Sequence, residues 1–329
     1  MLWFLLGLAV IVLILLAVCL YTFHICFYSS PDRKEDPYAC LHGEQYDAVK
    51  DQIIACTRRM DDSPCEMVNT RSFDGLKLSG RYYHNVNGAP TVILFHGYRS
   101  MALRDCAGGY GLATKMAMNV LAIDQRAHAN SEGKVISFGI NERRDCLSWI
   151  NYVSDRFGID TPIILSGLSM GAATVLMACD LDLPKNVVAI IADCPYSSPA
   201  HIISKVCEDQ HYPSKIAYPF LRMGARLFGG FSLEESSAQS AITCAKVPIL
   251  LLHGEDDRFV PSKMSREIYE ACPHLSQLHT FPGAGHGLCY MADPLRYEQV
   301  TVRFLMSQPA LKEYLQNNEF VQSITGEVQ

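Results

Sequence analysis

Short apolar runs alternate with amphipathic stretches through most of the chain. Apolar runs of strand length lie at residues 91–95, 120–123, 162–165, 187–191, 247–252 and 278–281, after an alternating stretch at 76–83. Between them, apolar residues recur at helical spacing over residues 141–157, 170–178, 262–271 and 294–306. Because strands that are apolar along their whole length are buried on both faces, this order predicts a mostly parallel sheet with helices on both faces.

The first apolar stretch differs from the others because residues 2–23 contain no charged side chain. About 20 such residues are what a helix needs to cross a bilayer. Trp3 near one end, and Tyr21 and Tyr28 near the other, suit the headgroup regions, where aromatic side chains are enriched. A cleaved signal peptide is the alternative, but its apolar region is shorter and follows basic residues, which are lacking here. The stretch therefore predicts a transmembrane anchor over residues 1–29.

Basic residues follow this stretch at Arg33, Lys34, Arg58 and Arg59, whereas only the terminal amine precedes it. The positive-inside rule therefore predicts a single-pass protein of the cell membrane whose large domain lies in the cytoplasm. Thirteen scattered cysteines without a C-x-x-C pair agree with a reducing compartment. Their spacing argues against a disulfide framework and against a metal site, so most are expected to be small buried apolar side chains.

Breaks in the pattern divide the remainder of the chain. Residues 30–65 are polar and interrupted by prolines, which predicts a tether with one short helix at 46–60. Residues 66–310 form the alternating domain, and residues 311–329 are expected to be a C-terminal tail. Within the domain, residues 199–240 separate two strands by roughly 40 residues, a length that indicates a helical insert. Its aromatic and aliphatic side chains either pack on its own domain or also wall a substrate pocket.

Composition excludes few functions but weighs against one class of partner. The chain has 28 basic and 34 acidic residues, a net charge of -6, and no basic stripe. A nucleic-acid partner is therefore not expected.

One motif carries a candidate nucleophile. The sequence Gly167-Leu168-Ser169-Met170-Gly171 follows a predicted strand and opens a predicted helix. In that context G-x-S-x-G forms a turn too tight for side chains at its glycines, which lifts the serine oxygen above the sheet. The helix N-terminus then points at the same place. The pentamer alone is a weak signal, and its position between strand and helix makes Ser169 the predicted nucleophile.

The partners of a serine on such a scaffold follow it in the order acid, then histidine. The strand at 247–252 is followed by HGEDDRFVP, which offers both Asp256 and Asp257. The next strand is followed by GAGHG, which contains His286. Asp193 follows an earlier strand and could also supply a carboxylate, although a structural hydrogen-bonding role is the expectation there.

An oxyanion formed at Ser169 would need two preorganised backbone N–H groups. Met170, directly after the serine, is one expected donor. Tyr98, in the loop after the strand at 91–95, is the other by position. His96 in the same loop is expected to brace the loop, because the order of the triad assigns the base to His286.

The phrases LFHGYRS, GLSMGAAT, DCPYSS, LLHGEDDRFVP and PGAGHG stand in the order found in the serine-hydrolase branch of the α/β-hydrolase superfamily. From Glu66 to Leu305 the chain resembles that superfamily, and it is most similar to bacterial membrane-tethered or cytoplasmic esterase-like members. The resemblance implies an α/β-hydrolase fold with a helical cap at residues 199–240. In related sequences the acid stands three residues after the glycine and four before the proline, which selects Asp257 and leaves Asp256 as the fallback.

The chain departs from that family after the strand at 120–123. The family usually has Asp-x-Arg-Gly-His-Gly-x-Ser, whereas Ala127 and Ala129 replace both glycines here. Alanine resists positive φ, so this loop is expected to differ in shape and to alter the wall of the pocket.

The resemblance implies hydrolysis of carboxylic esters, with a small-molecule or lipid ester as substrate and with no metal or cofactor. Thioesterase, acyltransferase and peptidase activities use the same triad and remain alternatives, because fold does not choose among them. A membrane-tethered binding module on an inactive scaffold is the alternative outside enzymes. Serine at the nucleophile position disfavours the aspartate-dependent routes to epoxides and haloalkanes on this fold.

Overall fold

An eight-stranded sheet forms the centre of the protein. The computed structural model describes residues 1–30, 36–39 and 43–326. The strands are β1 Glu66–Arg71, β2 Lys77–Tyr83, β3 Thr91–Phe95, β4 Asn119–Asp124, β5 Ile163–Leu168, β6 Val187–Asp193, β7 Ile249–Gly254 and β8 Ser276–Phe281.

The strands lie side by side in the order β1-β2-β4-β3-β5-β6-β7-β8. β2 runs antiparallel to β1 and β4, and the other neighbouring pairs are parallel. Every residue of β3, β4 and β7 is buried, as expected for strands covered on both faces. The carboxyl ends of the parallel strands meet at one edge of the sheet, so the loops that carry the candidate site residues lie together there.

Helices cover both faces of this sheet and so confirm the predicted fold class. On one face Trp149 belongs to a large apolar cluster, and on the other Phe304 belongs to a second cluster. The helices are α1 Leu2–Cys26, α2 Glu44–Asp47, α3 Lys50–Asp61, α4 Ala102–Asp105, α5 Ala107–Lys115, α6 Glu142–Phe157, α7 Met170–Met177, α8 Pro199–Asp209, α9 Ser214–Gly224, α10 Ala238–Ala241, α11 Lys263–Ala271, α12 Cys289–Ala292, α13 Pro294–Met306, α14 Pro309–Gln316 and α15 Glu319–Thr325. A π-helical turn, Ala225–Gly229, continues α9.

Two elements of the domain are not predicted by the apolar pattern. In the edge strand β1 only Val68 is buried, so the sequence shows neither a continuous apolar run nor a clear alternation. Helix α5 has the sequence AGGYGLATK, whose three glycines disfavour a helix unless tertiary packing holds it. That packing is present, because Tyr110 and Leu112 are buried against the sheet.

The segment expected to be a C-terminal tail is instead folded onto the domain. Helices α14 and α15 follow α13, and the side chains of Leu311, Leu315 and Val321 are fully buried. Leu311 and Leu315 are four residues apart, so they share the helix face that packs on the core. The alternating pattern ends before these residues because no further strand follows them.

Helix α1 is long and apolar enough to cross a membrane, with a mean hydropathy of 3.1 in its most apolar part, and no other helix among the described residues meets both conditions. Its side chains are exposed from Leu2 to Ala17. Beyond that point Cys19, Phe23 and Phe27 are buried at a spacing of four residues, which places them on one face of the helix.

The end of α1 contacts the domain directly, ahead of the segment 30–65 that is expected to be a tether. The Phe27 carbonyl accepts a hydrogen bond from the Ile136 N–H at 2.8 Å, and the Ser29 N–H donates to the Lys134 carbonyl at 2.9 Å. The chain therefore joins the domain as soon as α1 ends. The short helix expected at 46–60 is split into α2 and α3. Arg33 and Lys34, on which the orientation argument depends, lie outside the described residues.

The cap at residues 199–240 packs against α1 as well as its own domain. A Cβ built on Gly224 of α9 would lie 2.5 Å from the Cys19 carbonyl oxygen, so only glycine permits this close approach. The ring of Phe228 lies 5.9 Å from that of Phe23, and the ring of Phe231 lies 5.4 Å from that of Phe27. Phe228 thus serves the contact between the cap and α1.

Candidate active site

Ser169 occupies the tight turn between β5 and α7. Its φ of 55° and ψ of -114° are strained for a residue with a side chain, as expected for a serine lifted out of a strand-to-helix turn. A Cβ on Gly171 would collide with the Phe95 carbonyl, and one on Gly167 would collide with the Gly171 backbone. Both glycines are therefore required, and the motif has the local structure that its sequence predicted.

The structure brings the three predicted triad residues together. Ser169 Oγ lies 2.9 Å from His286 Nε2, and His286 Nδ1 lies 2.7 Å from Asp257 Oδ2. A carboxylate only accepts hydrogen bonds, so Nδ1 carries the proton and Nε2 is left to accept from the serine hydroxyl. This arrangement can take up the serine proton when the serine oxygen attacks an electrophile.

The Asp257 carboxylate is held in its charged form. Its Oδ1 accepts hydrogen bonds from the N–H groups of Phe259 at 2.9 Å and Val260 at 2.8 Å. Burial raises the pKa of Asp257, but hydrogen bonds from His253 and His286 outweigh that effect and the net pKa lies well below the usual range. The carboxylate therefore stays ionised near neutral pH and can stabilise a charged imidazole.

The two other candidate carboxylates are placed differently. Asp256 is exposed, and its N–H donates to the Ala284 carbonyl at 3.0 Å. Asp193 is buried at the end of β6, where its backbone carbonyl accepts a hydrogen bond from the Ser169 N–H at 2.9 Å. Burial raises the pKa of Asp193 to about 6, although the hydrogen bond from Cys289 opposes this increase. Asp193 thus braces the nucleophile turn through its backbone.

The loop expected to complete an oxyanion hole lies directly against the nucleophile. A Cβ on Gly97 would lie 3.5 Å from Ser169 Cβ, so the peptide that leads into Tyr98 is next to the serine. The Gly97 N–H donates to Asp105 Oδ2 at 2.9 Å, and buried His96 accepts from the Gln125 N–H at 2.9 Å. These hydrogen bonds fix the loop.

Met170, the other expected donor, is the first residue of α7 and is fully buried. Its N–H belongs to the first turn of the helix, where backbone N–H groups have no partner within the helix. Met170 directly follows Ser169 in the chain, and Gly97, which precedes Tyr98, lies against the Ser169 side chain, so both expected donors belong to segments next to the nucleophile.

Further residues that touch the triad, among them His253 and Phe259, are not predicted by the sequence. His253, at the carboxyl end of β7, lies with Nε2 3.3 Å from Asp257 Oδ2 and 2.8 Å from the Val260 carbonyl. Phe259 places its half-exposed ring 5.1 Å from the His286 ring. The only sequence signal for them is their position in HGEDDRFVP, because their roles depend on how that loop folds back over β7.

The alanines that replace the family glycines keep the conformation typical of glycine. Ala127 and Ala129 have φ values of 62° and 41°, so the expectation that alanine would avoid this region is wrong. The surrounding contacts hold the loop: the Ala127 N–H donates to the Glu132 carbonyl at 3.0 Å, and His128 Nε2 accepts from the Arg99 N–H at 3.0 Å. Each left-handed alanine costs about 1–2 kcal/mol.

Ligand atoms of Cys194, Asp257 and His286 lie within 4.8 Å of one another. The carboxylate and the imidazole are already paired in the triad, and burial raises the pKa of the Cys194 thiol well above its ordinary value. A metal ion needs the thiolate form, which this environment disfavours. These residues therefore fit a hydrolytic triad better than a metal centre.

The chain is similar to known proteins in sequence and in structure. The chain is similar to the uncharacterised protein YqkD of Bacillus subtilis, 26% identical over 216 residues that cover 65% of this chain and 70% of that protein. It is 23% identical over 219 residues to the lysophosphatidylserine lipase ABHD12 of Danio rerio. That match covers 63% of this chain and 51% of the lipase, so the chain aligns with about half of its length.

Solved structures show the same fold. An esterase from Pyrococcus furiosus superposes with a TM-score of 0.62 at 23% identity, covering 78% of this chain and 94% of the esterase. An esterase from Rhodococcus superposes with a TM-score of 0.53 at 18% identity, covering 74% of this chain and 99% of that chain. The sequence profile of the alpha/beta hydrolase family matches residues 92–300, more than half of the sequence. With the sheet, the nucleophile turn and this match in agreement, the chain belongs to the alpha/beta hydrolase family.

Proposed function

We propose that this hydrolase cleaves carboxylic esters through an acyl-enzyme intermediate formed on Ser169. The observation that carries the proposal is the continuous hydrogen-bonded line from Ser169 Oγ through His286 to Asp257, with distances of 2.9 and 2.7 Å. Such a line activates a serine that is otherwise a weak nucleophile. The strained backbone at Ser169 supports the same role, since strain of this kind is concentrated at functional sites.

In the first half of the reaction Ser169 Oγ attacks the ester carbonyl while His286 Nε2 takes the hydroxyl proton. Asp257 holds the imidazole in the required tautomer and stabilises its positive charge. The backbone N–H groups of Tyr98 and Met170 donate to the oxyanion of the tetrahedral intermediate. The intermediate collapses, His286 returns its proton to the leaving alcohol, and the acyl group stays on the serine oxygen.

In the second half water attacks the acyl-enzyme. His286 Nε2 takes a proton from the water, the same two N–H groups hold the second oxyanion, and the proton passes back to Ser169 Oγ as the acid leaves. The chain and water supply every proton and electron pair in both halves, so the proposed reaction uses no metal and no cofactor.

We further propose that α1 anchors the protein in the cell membrane as a single span. The exposed apolar surface from Leu2 to Ala17 supports this, because such a surface is stable only among apolar neighbours. The proposed substrate is accordingly a lipid ester or a small apolar ester. The Danio rerio relative, which is named as a lysophosphatidylserine lipase, supports the same class.

The chemistry is tested by labelling the full chain with a fluorophosphonate, which reacts only with an activated serine. We expect labelling of the unaltered protein and none of Ser169→Ala. A panel of matched esters, thioesters and amides then separates esterase from the other activities that use this triad. An unlabelled but folded protein would instead indicate a binding module.

Acyl-chain length tests the substrate class. Each methylene removed from water contributes about 0.8 kcal/mol, so kcat/KM should rise roughly fourfold per carbon over short acyl chains. The measurement is a series of esters that share one alcohol. A flat or falling series would exclude lipid esters and favour small polar ones.

The anchor and its orientation need separate experiments. The full chain should remain with membranes after carbonate extraction, whereas a mature protein that has lost its first residues would show a signal peptide. For orientation we use Cys244, which is exposed shortly after the cap. We propose that the domain is cytoplasmic, so an impermeant maleimide should label Cys244 only after cells are opened, with Cys244→Ser as the control.

A further inference from the structure

The depth of the cap relative to a bilayer follows from α1. The exposed part of this helix, Leu2 to Ala17, is 16 residues long and rises about 24 Å at 1.5 Å per residue. The hydrocarbon core of a bilayer is about 30 Å thick, so it extends about four residues further along the helix. Cys19 therefore lies just inside the edge of the hydrocarbon, and Phe23 lies among the headgroups. This step rests on the proposed membrane anchor.

Helix α9 of the cap lies at that same depth. Gly224 approaches the Cys19 carbonyl and Phe23, and the following turn places Phe228 against Phe23. Contact with α1 is made by one side of α9, on which Leu221 and Gly224 are buried. Helix α8 packs against a second side of α9, and the remaining sides of α9 are largely exposed.

One of those remaining sides is apolar. Ile216, Met223 and Leu227 are 65%, 48% and 53% exposed, and Phe220 between them is partly exposed. The four residues follow one another at spacings of four, three and four, which places them along a single stripe of the helix. A stripe of large apolar side chains exposed to water is unfavourable, so this face requires an apolar neighbour.

A basic row runs beside the stripe. Lys215, Arg222 and Arg226 are exposed, each one position before a residue of the apolar stripe. Arg222 and Arg226 lie 3.0 and 3.6 Å from the carboxylate of Glu234, so two cations share one acid. An apolar stripe bordered by cations is typical of a helix that lies in a membrane interface, where lipid phosphates accept from the basic side chains.

We propose that α9 and its π-helical turn form an interfacial helix, whose apolar stripe lies at the boundary between headgroups and acyl chains of the bilayer that α1 spans. The occupant of this face is thus lipid rather than a protein partner. Continuity with α1 carries the argument, because the buried side of α9 is already seated on the part of α1 that leaves the membrane.

The arrangement also fixes the height of the candidate active site. Tyr98 donates its hydroxyl hydrogen to the Cys26 carbonyl at 2.8 Å, and the Arg99 guanidinium donates to the Ile25 carbonyl at 2.6 Å. The loop beside Ser169 is therefore attached to the end of α1, a few residues above the hydrocarbon. A lipid ester would have to rise only a short distance from the interface to reach the serine.

The proposal is tested by tryptophan quenching in the full chain, reconstituted into vesicles with lipids brominated near the top of the acyl chains. The background variant is Trp3→Phe, which leaves only Trp149, a residue fully buried in the protein. Ile216→Trp and Leu227→Trp are then introduced singly. We expect the emission of each added tryptophan to fall by roughly half, since interfacial helices bury their apolar face at this depth.

Ile159→Trp in the same background is the matched control. Ile159 is 77% exposed and lies between α6 and β5, at the amino ends of the parallel strands and away from the cap. Its emission should be unchanged by bromination. If the tryptophans at 216 and 227 are quenched no more than the one at 159, while the protein floats with the vesicles, the face is covered by protein or water and the proposal is wrong.

The readout does not depend on catalysis, so it distinguishes this proposal from the proposed function. If the cap tryptophans are quenched but the protein is inactive, the interfacial helix is supported and the proposed esterase activity is wrong. A protein that does not float with vesicles would overturn the anchor and, with it, the interfacial helix. Circular dichroism of each variant confirms that the tryptophan substitutions leave the fold intact.

Discussion

Around Ser169 the polar groups are buried and hydrogen-bonded to one another, whereas α9 exposes large apolar side chains along one face. In the first region, distances between individual atoms determine whether a proton can move. For α9, the proposed contact with lipid requires only that an apolar surface lies at one depth relative to the bilayer. The comparison separates two tasks under the proposed function: the loops at the sheet edge would carry out the reaction, and the contact between the cap and α1 would determine where the reaction takes place.

The largest expected effects fall on the first region. Ser169→Ala, His286→Ala and Asp257→Asn should each lower the ester kcat by about 10⁴-fold or more, because triad residues act as one unit. Melting temperatures should change little. The measurement is the steady-state rate of ester hydrolysis.

Asp256→Asn is the matched control for the acid, since the two aspartates are adjacent but only Asp257 reaches His286. We expect it to retain most activity. If Asp256→Asn is inactive and Asp257→Asn is active, the acid of the triad is Asp256. The description of the region around Ser169 would then be wrong.

The next effect tests the contact between anchor helix and domain. Phe27 is fully buried between Phe138 and Phe231, with ring distances of 5.7 and 5.4 Å. Phe27→Ala should lower the free energy of unfolding by about 3–5 kcal/mol. Ile25→Ala, at an exposed position two residues earlier in the chain, should cost far less.

Thermal unfolding of both variants in detergent gives this difference. Equal melting temperatures for the two would mean that α1 does not pack on the domain as described. At temperatures where the protein is folded, both variants should hydrolyse esters at the rate of the unaltered protein, because neither side chain touches the reacting atoms.

A pH effect of intermediate size is expected at Asp193. Burial raises its pKa in the folded state to about 6, above the ordinary value near 4 in the unfolded chain. The folded state then binds the proton more tightly, so the contribution of Asp193 to stability is greatest below pH 4 and is lost as the pH rises through 6. The loss amounts to about 3 kcal/mol, because each tenfold difference in proton affinity between the two states corresponds to about 1.4 kcal/mol.

Asp193→Asn should remove this contribution. We expect the unaltered protein to lose stability between pH 4 and pH 7 relative to the variant, measured as the difference between their unfolding midpoints at each pH. Parallel curves across that interval would show that the Asp193 carboxyl is not perturbed, and would make the surroundings of the nucleophile turn more polar than the structure indicates.

The smallest expected effect concerns the strained loop after β4. Ala129 is exposed at a φ of 41°, so Ala129→Gly should relieve strain without losing buried surface. Relief of about 1–2 kcal/mol is partly offset by the greater entropy of glycine in the unfolded chain, which leaves a gain of about 0.5–1 kcal/mol. Thermal unfolding measures this gain in stability. A lower melting temperature for Ala129→Gly would show that the backbone at Ala129 is not strained.

The sequence is most informative where local motifs lie on a regular frame. The sheet follows from apolar runs, and the positions of Ser169 and His286 follow from motifs at the ends of predicted strands. The choice of Asp257 over Asp256 rests on the family resemblance. The role of His253 does not follow, because its contact with Asp257 arises only when the loop folds back over β7. Helix α5 is not predicted by the sequence either, because packing against the sheet overrides the low helix propensity of its glycines.

The cap is the part that the sequence explains least, for a physical reason. From the sequence, the aromatic side chains of the cap are expected to pack on their own domain or to wall a pocket. Phe228 instead packs on Phe23, which lies about 200 residues earlier in the chain. No periodicity in residues 199–240 indicates that partner. The alanines at 127 and 129 show a similar limit, because one of the hydrogen bonds that hold their loop, from the Arg99 N–H to His128, comes from another part of the chain.

The attachment of Arg99 and Tyr98 to the end of α1 has a consequence for how the protein searches for substrate. A domain on a long flexible linker sweeps a volume and can reach a neighbouring membrane. Here the guanidinium and the phenol hold the helix end within hydrogen-bonding distance of the loop beside the nucleophile. In a bilayer the domain would move only by lateral diffusion with its anchor, so its encounters would be two-dimensional and confined to molecules of its own leaflet.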